Sequence, residues 1–143
     1  MLLDGTVDVP LDEAGCREMA RRLRAMGVEA VAIVFLYAYA NATHERCAAA
    51  IVQEEAPQVQ VSLSSAVLPV FREYERAMAT VLNAYVQPVV SRYIGKLESG
   101  LRSRGLQGPL LIMASNGGIF GPQSAAQRAV HMALSGPAAG RLS

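Results

Sequence analysis

The 143-residue sequence contains no tryptophan and only two cysteines, Cys16 and Cys47. It has no CxxC pair, and two isolated cysteines fall far short of the disulfide frameworks of small secreted domains. So few cysteines suit a reducing compartment, where free thiols pack as small apolar side chains. We therefore expect the protein to be cytoplasmic. His44 lies three residues before Cys47, but no second pair accompanies them, and no metal site is predicted.

An excess of charge of either sign is also missing. Thirteen basic and 12 acidic residues are interspersed and give a net charge of +1, which argues against nucleic acid or an anionic membrane as a partner. The longest apolar run covers only residues 30–40, about half of the roughly 20 residues that a membrane-spanning helix needs. The N-terminus has no basic region and reaches Asp4 almost at once, so no secretory signal is predicted.

Two common nucleotide-binding motifs are absent, since the chain has neither GxxxxGK[ST] nor GxGxxG. Two glycine-containing loops, residues 115–118 and 135–140, each lie at the boundary of a predicted element. Glycine amides can approach an anion closely, and a helix N-terminus adds a favourable dipole. Such loops are also ordinary turns, so both interpretations stay open. The candidate residues are Ser115, Asn116, Gly117, Gly118, Ser135, Gly136 and Gly140.

Hydrophobic periodicity predicts alternating helices and strands in the first half of the chain. Apolar residues every three or four positions predict a helix over residues 12–26 that stops at Gly27. The unalternating apolar run over residues 28–40 predicts a strand that is buried on both faces, as in parallel sheets.

A second helix is predicted over residues 43–55, capped by Thr43 and buried along Cys47, Ala50 and Ile51, with a short strand following at residues 59–63. This order gives an α/β fold with parallel strands. Further along, the sequence predicts a strand over 109–114, a short helix over 122–127 and an extended segment over 129–134.

The strongest pattern predicts one long helix near 71–104. Pro88 lies in its middle, where the ring removes a backbone donor, so we expect a kink or a junction of two helices there. An apolar stripe at helical spacing usually packs in a core or between domains, which is the favoured interpretation. The stripe consists of Phe71, Tyr74, Met78, Val81, Tyr85, Val89, Tyr93, Leu97 and Leu101.

A charged cluster, "REYER", lies at the start of this helix. It is a candidate for holding a substrate or bridging two domains, whereas the alternative is a solvated first turn whose charges pair with one another. Asn83 stands among apolar residues and needs a hydrogen-bond partner if it is buried. The long-helix candidates are Arg72, Glu73, Tyr74, Arg76 and Asn83.

Several segments in this order resemble one protein family. "DGTVDVPLDE", "YANATHE", "FREYERAMATVLNAYVQPVVSRYIGKLE", "LLIMASNGG" and "LSGPAAG" are similar to segments of the hydantoinase A and 5-oxoprolinase family of ATP-dependent cyclic-amide hydrolases. That family also includes acetone-carboxylase-type subunits. The resemblance spans essentially the whole chain, and the shared order of several motifs makes it more specific than any single loop.

The resemblance implies a partial actin-like, ribonuclease H-like ATPase fold with mostly parallel strands and flanking helices. Residues 1–68 would form the later part of the first lobe, 69–105 the long connecting helix, and 106–143 a strand-loop region leading into the second lobe. Family members are several times longer and grip nucleotide phosphates with Asp-Gly-Gly-Thr hairpins, which this chain lacks. We therefore expect an internal fragment, inactive alone, with ATP and Mg²⁺ bound only in the parent protein and no metal site here.

The resemblance also implies a function. The parent protein would hydrolyse a hydantoin, N-methylhydantoin or 5-oxoproline ring through ATP-driven activation of the ring carbonyl, with a hydantoinase B-type partner subunit. Three alternatives stay open: an ATP-dependent ketone carboxylase subunit of the same family, a non-catalytic oligomerisation module built on the long helix, and a small stand-alone nucleotide-binding fold.

The glycine loops match family loops near the interlobe cleft, and the "REYER" cluster with Asn83 matches the long-helix motif. The chain departs from the family pattern in two places. Ala77, Met78 and Ala79 replace a Ser/Thr-rich stretch, and Ala114 stands where glutamine is usual. The substrate and the catalytic base are therefore not identified from the sequence.

Overall fold

The computed structural model describes residues 1–132. The chain divides into two compact units, Met1–Tyr85 and Val86–Ser143. Three of the predicted site residues, Ser135, Gly136 and Gly140, lie outside the described residues. The lobe boundaries that the resemblance implies stay a prediction.

The first unit opens with the predicted helix–strand–helix–strand order. The two strands pair in parallel, with Ala30 opposite Gln60 and Ile33 opposite Leu63. This pairing confirms the parallel arrangement predicted from the sequence. The elements are α1 (Glu13–Ala25), β1 (Ala30–Ile33), α2 (Thr43–Glu55) and β2 (Gln60–Leu63).

Both ends of α1 follow from local sequence. The Asp12 carboxylate accepts a hydrogen bond from a first-turn N–H at 3.0 Å, as an N-cap residue does. Gly27 has a φ of +68°, and its N–H donates to the Arg24 carbonyl while that of Val28 donates to Leu23. These two bonds form a Schellman motif, which confirms the predicted stop at Gly27.

The predicted strand over residues 28–40 is wrong in length and in burial. Only Ala30–Ile33 form β1, and all four residues are half-buried. Beyond Ile33 the chain turns, and Tyr37 takes a φ of +58°. The strand is short because β2 offers only four partner residues, and the apolar residues that follow it form the turn.

The predicted cap of α2 is also wrong. Ala42 is the N-cap residue and makes no side-chain cap bond. The N–H of Thr43 instead donates to Oδ1 of Asn41 at 2.9 Å, so the amide two residues earlier satisfies a donor of the first turn. The buried face of α2 is rotated from the predicted one, since Cys47 is half-buried and Ala50 is exposed.

The core of the first unit lies between the two helices and the parallel pair. Ala20 of α1 packs with Val52 of α2, with Ala56 at the C-cap of α2 and with Val59, and Val31 of β1 lies against them. Across the outer edge of the same helix pair, the guanidinium of Arg21 makes two hydrogen bonds to the Glu55 carboxylate, at 2.9 and 3.1 Å.

After β2 comes the single turn α3 (Ser64–Val67) and then α4 (Glu73–Ser103). The predicted long helix is confirmed, and it runs through Pro88 as one element rather than as two helices. In the first unit the apolar stripe is exposed at Phe71, Tyr74, Met78, Val81 and Tyr85. It therefore does not pack in the core of this unit, and its packing between domains stays a prediction.

The buried face of α4 in the first unit is instead largely polar and consists of Arg76, Thr80, Asn83 and Ala84. Two polar residues of this face hydrogen-bond to serines of β2 and α3. The Asn83 amide donates to Ser62 of β2 at 2.8 Å, and Arg76 bonds to Ser64 of α3. Polar partners on the sheet side therefore select the polar face of the helix.

In the second unit, β3 (Ile112–Met113) and β4 (Ile119–Phe120) form an antiparallel pair, followed by α5 (Pro122–Gln127). The predicted strand over 109–114 is reduced to two residues. Residues 129–132 form a 3₁₀ turn rather than the predicted extended segment.

Taken together, the described elements make a mixed α/β chain. The expectation of mostly parallel strands holds for β1 and β2 but not for β3 and β4. The actin-like assignment stays a prediction. Within residues 1–132, no helix combines the length and the apolarity needed to cross a bilayer.

Candidate functional site

A buried guanidinium and a buried carboxylate meet at one hydroxyl group in the first unit. The side chain of Arg76 is fully buried, and its Nη1 donates to Ser64 Oγ at 2.6 Å. The same Oγ donates to the carboxylate of Glu45, itself fully buried, at 2.5 Å. Ser64 therefore links α4 to α2 through a chain of charge-assisted hydrogen bonds.

The same two charges hold the turn that follows β1. The N–H of Phe35 donates to Glu45 at 3.1 Å, and the Phe35 carbonyl accepts from Arg76 Nη1 at 2.9 Å. Glu45 also accepts the N–H of Ser65 at 2.9 Å. Because buried charges are costly unless they are hydrogen-bonded, this dense set of bonds explains how Glu45 is tolerated in the interior.

The edge of the Arg76 guanidinium formed by Nε and Nη2 differs from the hydrogen-bonded Nη1 side. Nε and Nη2 are buried and have no hydrogen-bond partner among the described residues. These two nitrogens point the same way and match the two oxygens of a carboxylate in a side-on, bidentate pair. The guanidinium also lies over the Tyr39 ring, 5.8 Å from its centroid, in a cation–π contact.

An open cavity of about 610 Å³ lies on the first unit, and Tyr39, which contacts Arg76, is one of its lining residues. Its wall includes Tyr39 and the apolar segment 68–71 before α4, and its charged groups are Arg72 and Glu75. That pair is exposed and its nitrogen and oxygen are 3.4 Å apart, so it contributes little to stability.

The structure separates the long-helix candidates into two groups. Arg76 joins the buried cluster and Asn83 bonds to β2, whereas Arg72, Glu73 and Tyr74 are exposed. The solvated first turn is therefore correct for part of "REYER" and wrong for Arg76. No contact in the described residues tests a substrate role for any of them.

The predicted anion loop is the turn of the β3–β4 hairpin. The Gly117 N–H donates to the carbonyl of the residue before the loop at 2.9 Å, and the Gly118 N–H donates to Asn116 Oδ1 at 2.9 Å. Both the N–H and the hydroxyl of Ser115 donate to the His131 carbonyl. These donors are therefore engaged within the second unit, and binding of an anion there stays a prediction.

Binding of ATP and Mg²⁺ by the parent protein, and not by this chain alone, stays a prediction. The loop amides are engaged as above, and within residues 1–132 no group of three or more His, Cys, Asp or Glu side chains is placed to hold a metal ion.

The two cysteines do not provide an activated nucleophile. Burial, with a smaller effect from the Asp12 carboxylate, raises the pKa of the Cys16 thiol. Burial, with a smaller effect from Glu13, likewise raises the pKa of Cys47. Both thiols are free and stay protonated at neutral pH, whereas a reactive cysteine needs a lowered pKa.

Glu45 and Ser64 were missed by the sequence reasoning, although a signal for Glu45 was present. Glu45, Ala48 and Val52 follow the spacing of one helix face and are all buried. A carboxylate on the same face as the apolar residues of a helix indicates a buried, hydrogen-bonded role. Ser64 follows a strand as many serines do, and nothing in the local sequence distinguishes it.

Two family models match consecutive parts of the chain. Residues 1–56 match the model described as "Hydantoinase/oxoprolinase N-terminal region". Residues 76–142 match the model described as "Hydantoinase/oxoprolinase". The two matches include both Glu45 and Arg76.

Named relatives support the same assignment. The caprolactamase subunit alpha of Pseudomonas jessenii is 38% identical over 138 residues, covering 96% of this chain and 20% of the relative. The crystal structure of the ATP-dependent caprolactamase from that organism matches 96% of this chain, and 20% of its own, with a TM-score of 0.85. The 5-oxoprolinase of Saccharomyces cerevisiae is 35% identical over 130 residues, covering 90% of this chain and 10% of the relative.

The acetone carboxylase beta subunit of Xanthobacter autotrophicus is 30% identical over 140 residues, covering 95% of this chain and 19% of the relative. The chain thus spans a fifth or less of the length of these relatives. With both family models matched in order and a solved relative similar in sequence and in structure, the chain belongs to the hydantoinase/oxoprolinase family.

Proposed function

We propose that these residues are part of an ATP-dependent enzyme that hydrolyses a cyclic amide of the hydantoin, N-methylhydantoin or 5-oxoproline type. In this proposal ATP activates the ring carbonyl and so makes the amide bond easier to cleave. Two of the relatives are named caprolactamase and 5-oxoprolinase, and caprolactam and 5-oxoproline are both cyclic amides. The named activities therefore share one type of bond.

The observation that carries the proposal is the meeting of two family-like segments in one buried cluster. "YANATHE" supplies Glu45 and "FREYER" supplies Arg76, and Ser64 bonds to both. A chance similarity of short motifs would not bring their charged residues together in the interior. The cluster therefore supports transferring the family architecture to this chain.

ATP and Mg²⁺ are proposed for the parent protein and not for the described residues alone. A hydantoinase B-type subunit is the proposed partner, since the caprolactamase relative is named as a subunit alpha. The two unpaired cysteines support a cytoplasmic enzyme. Because the nucleotide is proposed to bind only in the parent protein, we expect the 143-residue chain alone to be inactive.

Hydrolysis is favoured over ketone carboxylation. The named hydrolases are 38% and 35% identical to this chain, and the acetophenone and acetone carboxylase subunits are 34% and 30% identical, so the caprolactamase subunit carries this preference. A purely structural oligomerisation module is not favoured, because all of these relatives are named as enzymes or enzyme subunits.

The test is to express the full-length parent protein with its partner subunit and to measure ADP release and ring opening together. We expect hydantoin, N-methylhydantoin or 5-oxoproline to stimulate ATP turnover, with ring-opened product appearing in step with ADP. Stimulation by a ketone with bicarbonate, and by none of the rings, would contradict the proposal. Turnover by the 143-residue chain alone would contradict its dependence on the parent protein.

A matched pair of variants connects this assay to the buried cluster. Arg76→Gln removes the buried guanidinium, and we expect ring-stimulated turnover to fall at least tenfold. Arg102→Gln removes an exposed arginine that pairs with Glu98 one turn away on α4, and turnover should stay within about twofold because such pairs contribute little.

A further inference from the structure

We propose that the free edge of β1 and the apolar groove beside it receive a β-strand from the part of the parent protein that lies outside these 143 residues. Within residues 1–132, β2 is the only strand that pairs with β1, so the opposite edge of β1 has no strand neighbour there. This interface rests on the longer parent protein of the proposed function, but it does not depend on the chemistry of that protein.

Alternate residues of β1 present their backbone groups to opposite edges. In the parallel register Ala30 lies opposite Gln60, and the Gln60 N–H donates to the Glu29 carbonyl at 2.9 Å. The N–H and the carbonyl of one residue in a parallel strand point to the same side, and those of the next residue point to the other side. Glu29 and Val31 therefore face β2, whereas Ala30 and Ala32 present their N–H and carbonyl groups to the free edge.

The free edge lacks the features that protect edge strands. Native proteins shield such edges with charged side chains, proline, bulges or a covering element, because unpaired backbone groups invite pairing with another strand. Residues 30–40 contain neither a charged residue nor a proline, and β1 pairs with β2 residue for residue, without a bulge. This sequence therefore favours an edge that another part of the natural protein covers.

An apolar groove of about 270 Å³ lies at the same edge. Successive residues 31–35 form one wall, and because the side chains of neighbouring strand residues point to opposite faces, this wall includes the backbone edge itself. No residue of β2 lines the groove, so the edge in question is the one that faces away from β2. The rest of the lining comes from α1 and α2 and consists of Cys16, Met19, Ala20, Leu23, Ala48 and Val52.

The groove selects an apolar strand. Its lining carries no charged side chain, and Met19 of α1 is 52% exposed. Alternate residues of a strand point to one face of a sheet, so a strand beside β1 would place every second side chain against α1. Apolar residues at those positions would bury the groove, while hydrogen bonds to Ala30 and Ala32 would fix the strand, as in other cases of strand addition.

The length of the relatives indicates the source of the strand. The solved caprolactamase matches 96% of this chain with a TM-score of 0.85, yet the match covers only 20% of its own length, so about four-fifths of that protein lies outside the matched region. A strand of the same molecule would reach the edge of β1 at a high effective concentration. That advantage favours the parent protein over a second copy of this chain as the occupant.

Hydrogen exchange at single residues tests the proposal in the 143-residue chain and in the parent protein. The Ala32 N–H faces the free edge, and the Val31 N–H, which faces β2, is the control within the same strand. In the chain alone Ala32 should exchange about tenfold faster than Val31, whereas in the parent protein the two rates should agree within about threefold. Equal rates in the chain alone, or a tenfold difference that persists in the parent protein, would overturn the proposal.

A pair of methionine variants tests the groove. Met19 lines it, whereas Met26 at the C-cap of α1 is 75% exposed and lies outside it. In the chain alone, Met19→Gln and Met26→Gln should each change the unfolding temperature by less than about 3 °C, because both positions are exposed. In the parent protein Met19→Gln should lower it by more than Met26→Gln does, since the added strand buries Met19. Equal effects there would show that no strand covers the groove.

The same exchange measurement separates a strand of the parent protein from a second copy. Ala32 exchange in the 143-residue chain should not depend on protein concentration. Slowing with rising concentration, without slowing in the parent protein, would assign the edge to a second copy and overturn the proposal. Because neither measurement needs ATP or a substrate, failure of the ring-opening assay would leave the result for this interface unchanged.

Discussion

Ser64 Oγ lies 2.5 Å from the Glu45 carboxylate, although 19 residues separate the two in the sequence. The hydroxyl donates to Glu45 and accepts from Arg76, so it uses both of its hydrogen-bonding capacities in the interior. Ser64 joins the start of α2 to the start of α4, and its two partners, Glu45 and Arg76, each bond to Phe35 in the turn after β1. The stability of the first unit should therefore depend on the charge of Glu45.

Glu45→Gln should destabilise the first unit, as measured by urea unfolding. The carboxylate accepts three hydrogen bonds, from Phe35 N–H, Ser65 N–H and Ser64 Oγ. A glutamine of the same size offers one oxygen and one NH₂ group, so at least one buried donor would face another donor. Leaving a buried donor unsatisfied lowers the free energy of unfolding by about 1–3 kcal/mol.

The control for this variant is Glu18→Gln, which removes an exposed carboxylate from α1. A surface change of this kind should stay within about 0.5 kcal/mol. Equal effects of the two substitutions would show that the Glu45 bonds do not stabilise the fold.

The Arg21–Glu55 pair predicts a pH dependence of stability. The two hydrogen bonds from Arg21, helped by Arg17, lower the pKa of Glu55 from its ordinary value. A carboxylate with a lowered pKa in the folded state contributes stability at pH values above its unfolded pKa, about 4.3. That contribution is lost as the pH falls from there through the lower pKa of Glu55.

The measurement compares the urea midpoint at about pH 7 and about pH 3 for the wild type and Arg21→Gln. The wild type should lose more stability than the variant on acidification, because only the wild type has the full Arg21–Glu55 contribution to lose. Arg22→Gln, an exposed neighbour on α1, should behave like the wild type. An Arg21→Gln variant that falls as steeply as the wild type would contradict the assignment.

Local rules were enough to predict α1, α2, α4 and α5, whereas α3 and the 3₁₀ turn at residues 129–132 were not predicted. The side chain of Asp12, the positive φ of Gly27 and the apolar spacing between them all act within one helix, so the sequence alone places its ends. The same holds for the extent of α2 and α4. Strand lengths were predicted less well, because a strand ends where its partner ends, and the four-residue length of β2 is not visible from residues 28–40.

The buried face of α4 could not be predicted from its apolar spacing. Hydrophobic periodicity identifies a helix, but it assigns the core side only if the apolar residues face the core. Here Asn83 and Arg76 find partners in Ser62 and Ser64, which lie in distant parts of the sequence. The resemblance supplied both segments of the Glu45–Arg76 cluster, but only the structure shows that they meet.

A pair of glycine substitutions tests the backbone argument at the end of α1. Gly27 has a φ of +68°, and a methyl group added to its Cα would meet no atom within 4 Å. Gly27→Ala should therefore cost only backbone strain, about 1–2 kcal/mol in the left-handed region.

The matched control is Gly100→Ala in the last part of α4, where a methyl group also meets nothing within 4 Å. Alanine in a helix interior is favoured over glycine by about 0.5–1 kcal/mol, so this variant should be stabilised. Thermal unfolding followed by circular dichroism measures both changes. The same sign of change in the two variants would contradict the positive-φ explanation.

In the first unit the polar face of α4 is buried and its apolar stripe is exposed. Replacing a polar residue of this helix should therefore destabilise the chain more than replacing an aromatic one. Asn83 is fully buried, and its amide donates to Ser62 Oγ at 2.8 Å. Asn83→Ala should cost about 1–3 kcal/mol, because it removes a partner from a buried polar group. Tyr85 is 81% exposed two positions later, so Tyr85→Ala should change stability by less than about 0.5 kcal/mol, as exposed positions generally do. Urea unfolding of the 143-residue chain compares the two, and a larger loss for Tyr85→Ala would mean that the aromatic stripe, and not the polar face, packs against the sheet.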